Sequence, residues 1–104
     1  MVTDRLYNAI GLCQRAGKAQ SGAFAAEKAI RAGKAKLVLL EEGASEATKT
    51  HYEPLCAAHG VPLETVETVG RAIGKGGRIV MAVTDPSFRD MIERALRNTD
   101  EKRG

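Results

Sequence analysis

The chain has 104 residues, 43% apolar and 28% charged, with a formal net charge of +3. That is room for one domain with a core, and too little polarity bias for extended disorder. Two cysteines cannot frame a disulfide-rich secreted module, no apolar run approaches the ~20 residues of a bilayer span, and Met1 to Arg5 lead into no signal-peptide core, so a soluble, reducing, cytoplasmic setting is expected.

Aromatics make up only 4% and tryptophan is absent, so the core must be built from Ala, Val, Ile and Leu. Thr3 is a helix cap with Asp4 at the positive dipole end. Leu6, Ile10 and Cys13 then recur on one face of a helix that runs to about Ala16 and stops at Gly17. Lys18 to Ser21 has room for a two-residue strand. Phe24 to Arg31 is a second helix, rich in alanine and ended by Gly33. Lys36 to Leu40 is a buried strand, and Glu41 to Ala44 a loop.

Ser45 caps a third helix that reaches about His59 and ends at Gly60, with Pro54 expected to kink or break it. Val61 to Val66 alternates like a short strand. Thr68 caps a short helix, Val69 to Ile73. Arg78 to Val83 is a further buried strand. Asp85-Pro86 opens the last helix, where Phe88, Met91, Ile92 and Leu96 share a face to about Arg97. Residues 100–104 are expected to fray. Strands separated by helices require crossovers. The expected class is therefore α/β, with a partly parallel sheet and helices on both faces, a three-layer sandwich in one domain over 1–104.

Charge is unevenly spread. From Gln14 to Lys36, the bases Arg15, Lys18, Lys28, Arg31, Lys34 and Lys36 meet one acid, Glu27. From Glu41 to Glu67, six glutamates meet only Lys49. From Gly70 to Arg78, Arg71, Lys75 and Arg78 meet no acid. The ordinary reading of one such block is a solvated face. Two basic blocks, each beside glycines, make a phosphate-holding patch if the fold joins them. Ser21-Gly22 opens the second helix, whose amides and dipole attract anions, with Lys18, Lys28 and Arg31 nearby. Glycines in Gly74-Lys75-Gly76-Gly77 let backbone approach a phosphate, flanked by Arg78. The spacing is not that of a nucleotide-hydrolysing phosphate loop, and a strand follows rather than a helix.

Catalytic and metal readings are thin. His51, Cys56 and His59 spread over about 140° of one helix, too wide for a compact metal triad. No nucleophile–base pairing is visible, so neither an enzyme nor a cofactor is expected.

Several stretches, in order, resemble one family. They are Leu12-Cys13-Gln14-Arg15-Ala16-Gly17-Lys18, Ser21-Gly22, Lys28 to Leu40, Ala44 to Lys49, Gly70 to Lys75, and Val80-Met81-Ala82-Val83-Thr84-Asp85 followed by Phe88. Together they resemble the ribosomal protein L7Ae and L30e superfamily, in its bacterial YlxQ-like branch, over about Leu6 to Leu96. The resemblance implies an α-β-α sandwich around a four-stranded mixed sheet. It also implies non-catalytic binding of structured RNA, ribosomal RNA or a kink-turn among them, across the start of the second helix and the loop after a short fourth helix. The family's first motif is Gly-Thr-Asn-Glu, two residues, then Lys. Gly22 and Lys28 match its ends, but Phe24 and Ala25 stand where Asn and Glu read sheared guanines. In the second motif, Lys75, Gly76 and Gly77 replace an apolar residue, an acid and a valine.

The expectation is therefore RNA binding mainly through phosphates, at Lys18, Gly22, Phe24, Lys28, Arg31, Lys75, Gly76, Gly77 and Arg78. Phe24 either stacks on a base or packs in the core. The alternative is a protein-interaction module that has lost kink-turn specificity, with the acidic block as its contact face. No membrane partner is expected.

Overall fold

Two strands at the centre of the sheet carry unbroken apolar runs, and that dictates the layering. A side chain alternates faces along a strand, so a strand apolar at every position needs cover on both sides. A computed structural model describes residues 4–67, 69–70 and 78–103. Among these, α1 spans Asp4–Arg15, β1 Ala19–Ser21, α2 Ala23–Arg31, β2 Leu37–Glu41, α3 Glu46–Ala58, β3 Leu63–Val66, β4 Val80–Val83 and α4 Pro86–Arg103.

The strands lie in the order β1-β4-β2-β3. β2 and β3, joined by the α3 crossover, are parallel, with Val38 opposite Leu63. β4 is antiparallel to both of its neighbours, placing Met81 opposite Leu39 on one side and Ser21 on the other. The sheet is thus mixed, as expected. Leu37, Leu39, Met81 and Val83 face α1 and α4, packing with Leu6, Ile10, Cys13, Ile92 and Ala95. Val38, Leu40, Val80 and Ala82 face α2 and α3, packing with Ala26, Ile30, Tyr52, Leu55 and Cys56. Two cores back to back make the three-layer α-β-α sandwich.

Local signals explain most boundaries. Ser45 Oγ accepts from the Thr48 N–H at 3.2 Å, and Asp85 Oδ2 from the Phe88 N–H at 3.0 Å, so both act as helix caps. Gly33 takes φ +75° while the Lys34 N–H returns to the Ala29 carbonyl at 2.9 Å, turning the chain out of α2. β3 begins at Leu63 rather than Val61, because the Val61 N–H is spent on the Cys56 carbonyl at the end of α3.

Two expectations are corrected. Pro54 does not break α3, which is continuous from Glu46 to Ala58. Pro54 and Thr50 both lie on the exposed side, where water can satisfy the carbonyl that proline's missing N–H leaves unpaired. The last helix does not end near Arg97 but continues to Arg103. The apolar stripe marks where packing ends, and helical hydrogen bonding continues beyond it. Most of the expected short helix, with its cap Thr68, lies outside the described residues.

Leu39 is fully buried at the sheet's centre, so Leu39→Ala should cost about 2–5 kcal/mol in denaturant unfolding. Cys13 and Cys56 are free and buried. Burial, then the Asp85 charge, pushes the Cys13 thiol up from 9.0 to about 11, and burial raises Cys56. Between those two values the unfolded chain has released the Cys13 proton and the folded chain has not. Stability should therefore fall as pH rises from 9.0 to about 11. Denaturation midpoints across that window should show the fall, and Cys13→Ala should flatten it.

Candidate nucleic-acid interface

The turn from β1 into α2 is made by Gly22 at φ +93°, ψ 156°, a backbone conformation essentially restricted to glycine. Its N–H donates to the Val80 carbonyl at 2.9 Å, which ties the start of α2 to the central strand β4. Its carbonyl accepts from the Ala26 N–H at 2.9 Å, opening the helix. Among the described residues no side chain caps this end, and no acid sits in its first turn. The helix therefore presents its positive end without an internal counter-charge. On the inner side, the Tyr52 hydroxyl donates to the Ala23 carbonyl at 3.0 Å, anchoring the first turn to α3.

Arg78 lies across this helix start. A Cβ placed on Gly22 would stand 3.2 Å from Arg78 Nη1 and 3.6 Å from Cζ. The last residue of the second basic block thus fills the side-chain space of the glycine that opens α2. Phe24 is 84% exposed, which excludes it from the core. Lys28 follows one turn later on α2 and is exposed. Among the described residues, neither Lys28 nor Arg78 forms an ion pair. Gly22, Phe24, Lys28 and Arg78 are therefore brought into one neighbourhood.

Two expected residues stand differently. Lys18 lies at the other end of β1, four residues from Gly22 and so about 13 Å away by strand rise. Its carbonyl accepts from the Thr84 N–H at 2.9 Å and the Thr84 hydroxyl at 3.1 Å. Arg31 lies on α2, but its Nε donates to Glu27 at 2.9 Å. Glu27 also meets His51 Nε2 at 2.7 Å, and the hydrogen bonds from His51 and then Arg31 hold its carboxyl below the usual range. Arg31 is thus partly neutralised. Lys75, Gly76 and Gly77 lie outside the described residues.

Sequence reasoning passed over a second feature. Phe24 and Lys28 form a ridge with a groove on either side. One groove is closed by Glu27 and Arg31. The other is lined by Gln20, Ala25, Ala29, Ala32, Lys34 and Thr84. Gln20 and Thr84 belong to separate segments that only the β1–β4 pairing brings together. Lys34 belonged to the basic block, without any sign of which face it would join.

Within the acidic block, Glu41 accepts from the Val69 N–H at 3.0 Å, Glu46 pairs with Lys49 at 3.9 Å, and Glu67 accepts from the Tyr7 hydroxyl at 3.5 Å.

Residues 4–92 match the model of the ribosomal protein L7Ae/L30e/S12e/Gadd45 family. The RNA-binding protein YlxQ of Bacillus subtilis is 45% identical over 82 residues, covering 76% of this chain and 82% of that protein. A Bacillus halodurans protein of unknown function superposes with a TM-score of 0.84 at 28% identity, over 91% of this chain and 99% of its own. The Giardia lamblia 15.5kD RNA binding protein shares the fold, with a TM-score of 0.71 at 21% identity over 93% and 86% of the two chains.

Gly22→Ala tests the geometry of the helix start. The added methyl meets the Arg78 guanidinium and forces a non-glycine residue into a glycine conformation. It should cost about 1–3 kcal/mol, seen as a lower thermal midpoint.

Proposed function

The chain belongs to the ribosomal protein L7Ae/L30e/S12e/Gadd45 family, and on that ground we propose that it binds RNA without catalysing a reaction. The observation that supports the reading is the Arg78 guanidinium lying in the side-chain space of Gly22, at a start of α2 that no side chain caps among the described residues. An exposed helix amino end, a glycine that admits close backbone approach and an unpaired guanidinium are what a phosphate needs. Lys28 adds a second cation one turn along. In this reading Lys75, Gly76 and Gly77 also meet the RNA, Lys18 and Arg31 contribute at the periphery, and Phe24 meets a base.

Contacts of this kind position an RNA without reading its sequence. Phe24 and Ala25 have no side-chain donors or acceptors with which to read the edge of a base. Recognition then depends on RNA shape and on unpaired bases. A structured RNA, such as a ribosomal fragment or a kink-turn, is the substrate class this favours. The exposure of Phe24 also supports the second reading, a protein-interaction surface. The unpaired cations around it favour RNA.

Anisotropy titrations of a structured ribosomal RNA fragment would test the proposal. With about five phosphates neutralised, affinity should fall by two to three orders of magnitude between low and physiological salt. Lys28→Glu and Arg78→Glu should each weaken binding by about tenfold and flatten the salt slope. Arg94→Glu, on α4 across the sheet, should change little. Salt-independent binding, or full affinity in the Lys28→Glu, Arg78→Glu double variant, would leave the protein-interaction reading in its place.

A further inference from the structure

The two grooves beside the Phe24–Lys28 ridge are chemically unequal. In the groove toward α3, Glu27 takes both Arg31 and His51, so its charges are satisfied from within the protein. In the groove toward the edge strand β1, no acid contributes to the lining among the described residues. Its floor is Ala25, Ala29 and Ala32, small residues that recur along one side of α2 and keep the groove open. Its rim carries Lys28 and Lys34, neither ion-paired among the described residues, and the polar side chains of Gln20 and Thr84. The Gln20 amide has no hydrogen-bond partner among the described residues. The Thr84 hydroxyl donates to the Lys18 carbonyl at 3.1 Å, which leaves its lone pairs free to accept. The groove holds about 390 Å³, within the range of small-ligand sites.

An aromatic ring at one wall, two cations and an amide that can both donate and accept match one unpaired nucleotide. A protein segment without acids would use neither cation, and a free anion would not use the ring. We propose that this groove is a subsite for a single-stranded nucleotide of the bound RNA, its base stacked on Phe24 and its edge met by Gln20 and Thr84. Lys28 and Lys34 hold the phosphates on either side. The inference rests on the RNA-binding reading, and adds to it a preference for RNA with an unpaired stretch beside the phosphate anchor at Gly22 and Arg78. Stacking on an exposed aromatic is sequence-tolerant and worth a factor of ten or more. Hydrogen bonds with the Gln20 amide and to the Thr84 hydroxyl oxygen would add a modest choice among bases.

The test compares a short RNA duplex carrying a single-stranded overhang with the same duplex made blunt, by anisotropy at fixed salt. The wild-type protein should bind the overhang form about tenfold more tightly. Phe24→Ala should abolish that preference, and Phe24→Tyr should retain it. Gln20→Ala combined with Thr84→Val should reduce the preference and alter which overhang base binds best. Phe24 is on the surface, so its variants should fold, and thermal midpoints would confirm it. Equal binding of both duplexes by the wild type, or an overhang preference that survives Phe24→Ala, overturns the subsite and leaves the phosphate anchor standing if Arg78→Glu still weakens both duplexes. Failure to bind either duplex overturns the RNA reading, and the subsite with it. Self-association abolished by Phe24→Ala, with no RNA bound, would put a protein on this groove instead.

Discussion

The hydrogen bond from the Gly22 N–H to the Val80 carbonyl determines where everything else at the interface stands. It requires a backbone turn at positive φ directly before a helix, and only glycine accommodates that turn cheaply. The same missing side chain leaves the space in which the Arg78 guanidinium lies. One residue therefore closes the β1–β4 edge, opens α2 and admits a cation to the end of the helix. A side chain at this position would oppose all three, which couples stability and site geometry at a single atom.

The support beneath the helix start is correspondingly rigid. β4 is buried along its whole length, and Val80, whose carbonyl receives the Gly22 N–H, is part of the inner core. The Tyr52 hydroxyl holds the Ala23 carbonyl from the opposite side, and the Glu27–His51 contact links α2 to α3 one turn later. A helix start fixed at three points loses little freedom when an anion arrives, which is how preorganisation strengthens binding without additional contacts. Glu27 has a further effect: by pairing with Arg31 it leaves Lys28, next along α2, as the cation without an ion pair among the described residues of that helix.

The architecture could be read from the sequence because its signals are local. Apolar runs at Leu37 to Leu40 and Val80 to Val83 require cover on both faces, and Ser45 and Asp85 announce their helices by chemistry that acts within one turn. Charge blocks beside Gly22 and Arg78 were also visible, and the family motifs indicated where they would meet. Side-chain direction was not visible. Lys18 shares a basic block with Lys28, yet β1 carries it to the far end of the strand, because adjacency in a block says nothing about which end of a strand a residue occupies. Arg31 looked like a free cation, but helical spacing places Glu27 four residues before it. Gln20 and Thr84 carry no signal of their own. They become neighbours only through the antiparallel register of β1 and β4, a long-range fact with no local signature. Pro54 misled in the other direction, since its cost depends on whether the carbonyl it leaves unpaired faces water.

The exchange of polar readers for Phe24 and Ala25 changes the kind of information the surface can extract. Asn and Glu side chains at a helix start can test the edges of particular bases, with discrimination that depends on pairing geometry. A ring in their place tests only whether a base is free to leave its stack, because every base has a face and only unpaired ones expose it. On the proposed reading, phosphates at Gly22 and Arg78 would supply affinity without discrimination. A surface made of these two elements responds to the shape and unpairing of an RNA more than to its sequence. It keeps a place for finer choice only where Gln20 and Thr84 line the groove. Sequence preference in such a protein is thus expected to reside at the sheet's edge rather than at the helix start, displaced by one strand from the motif that defines the family.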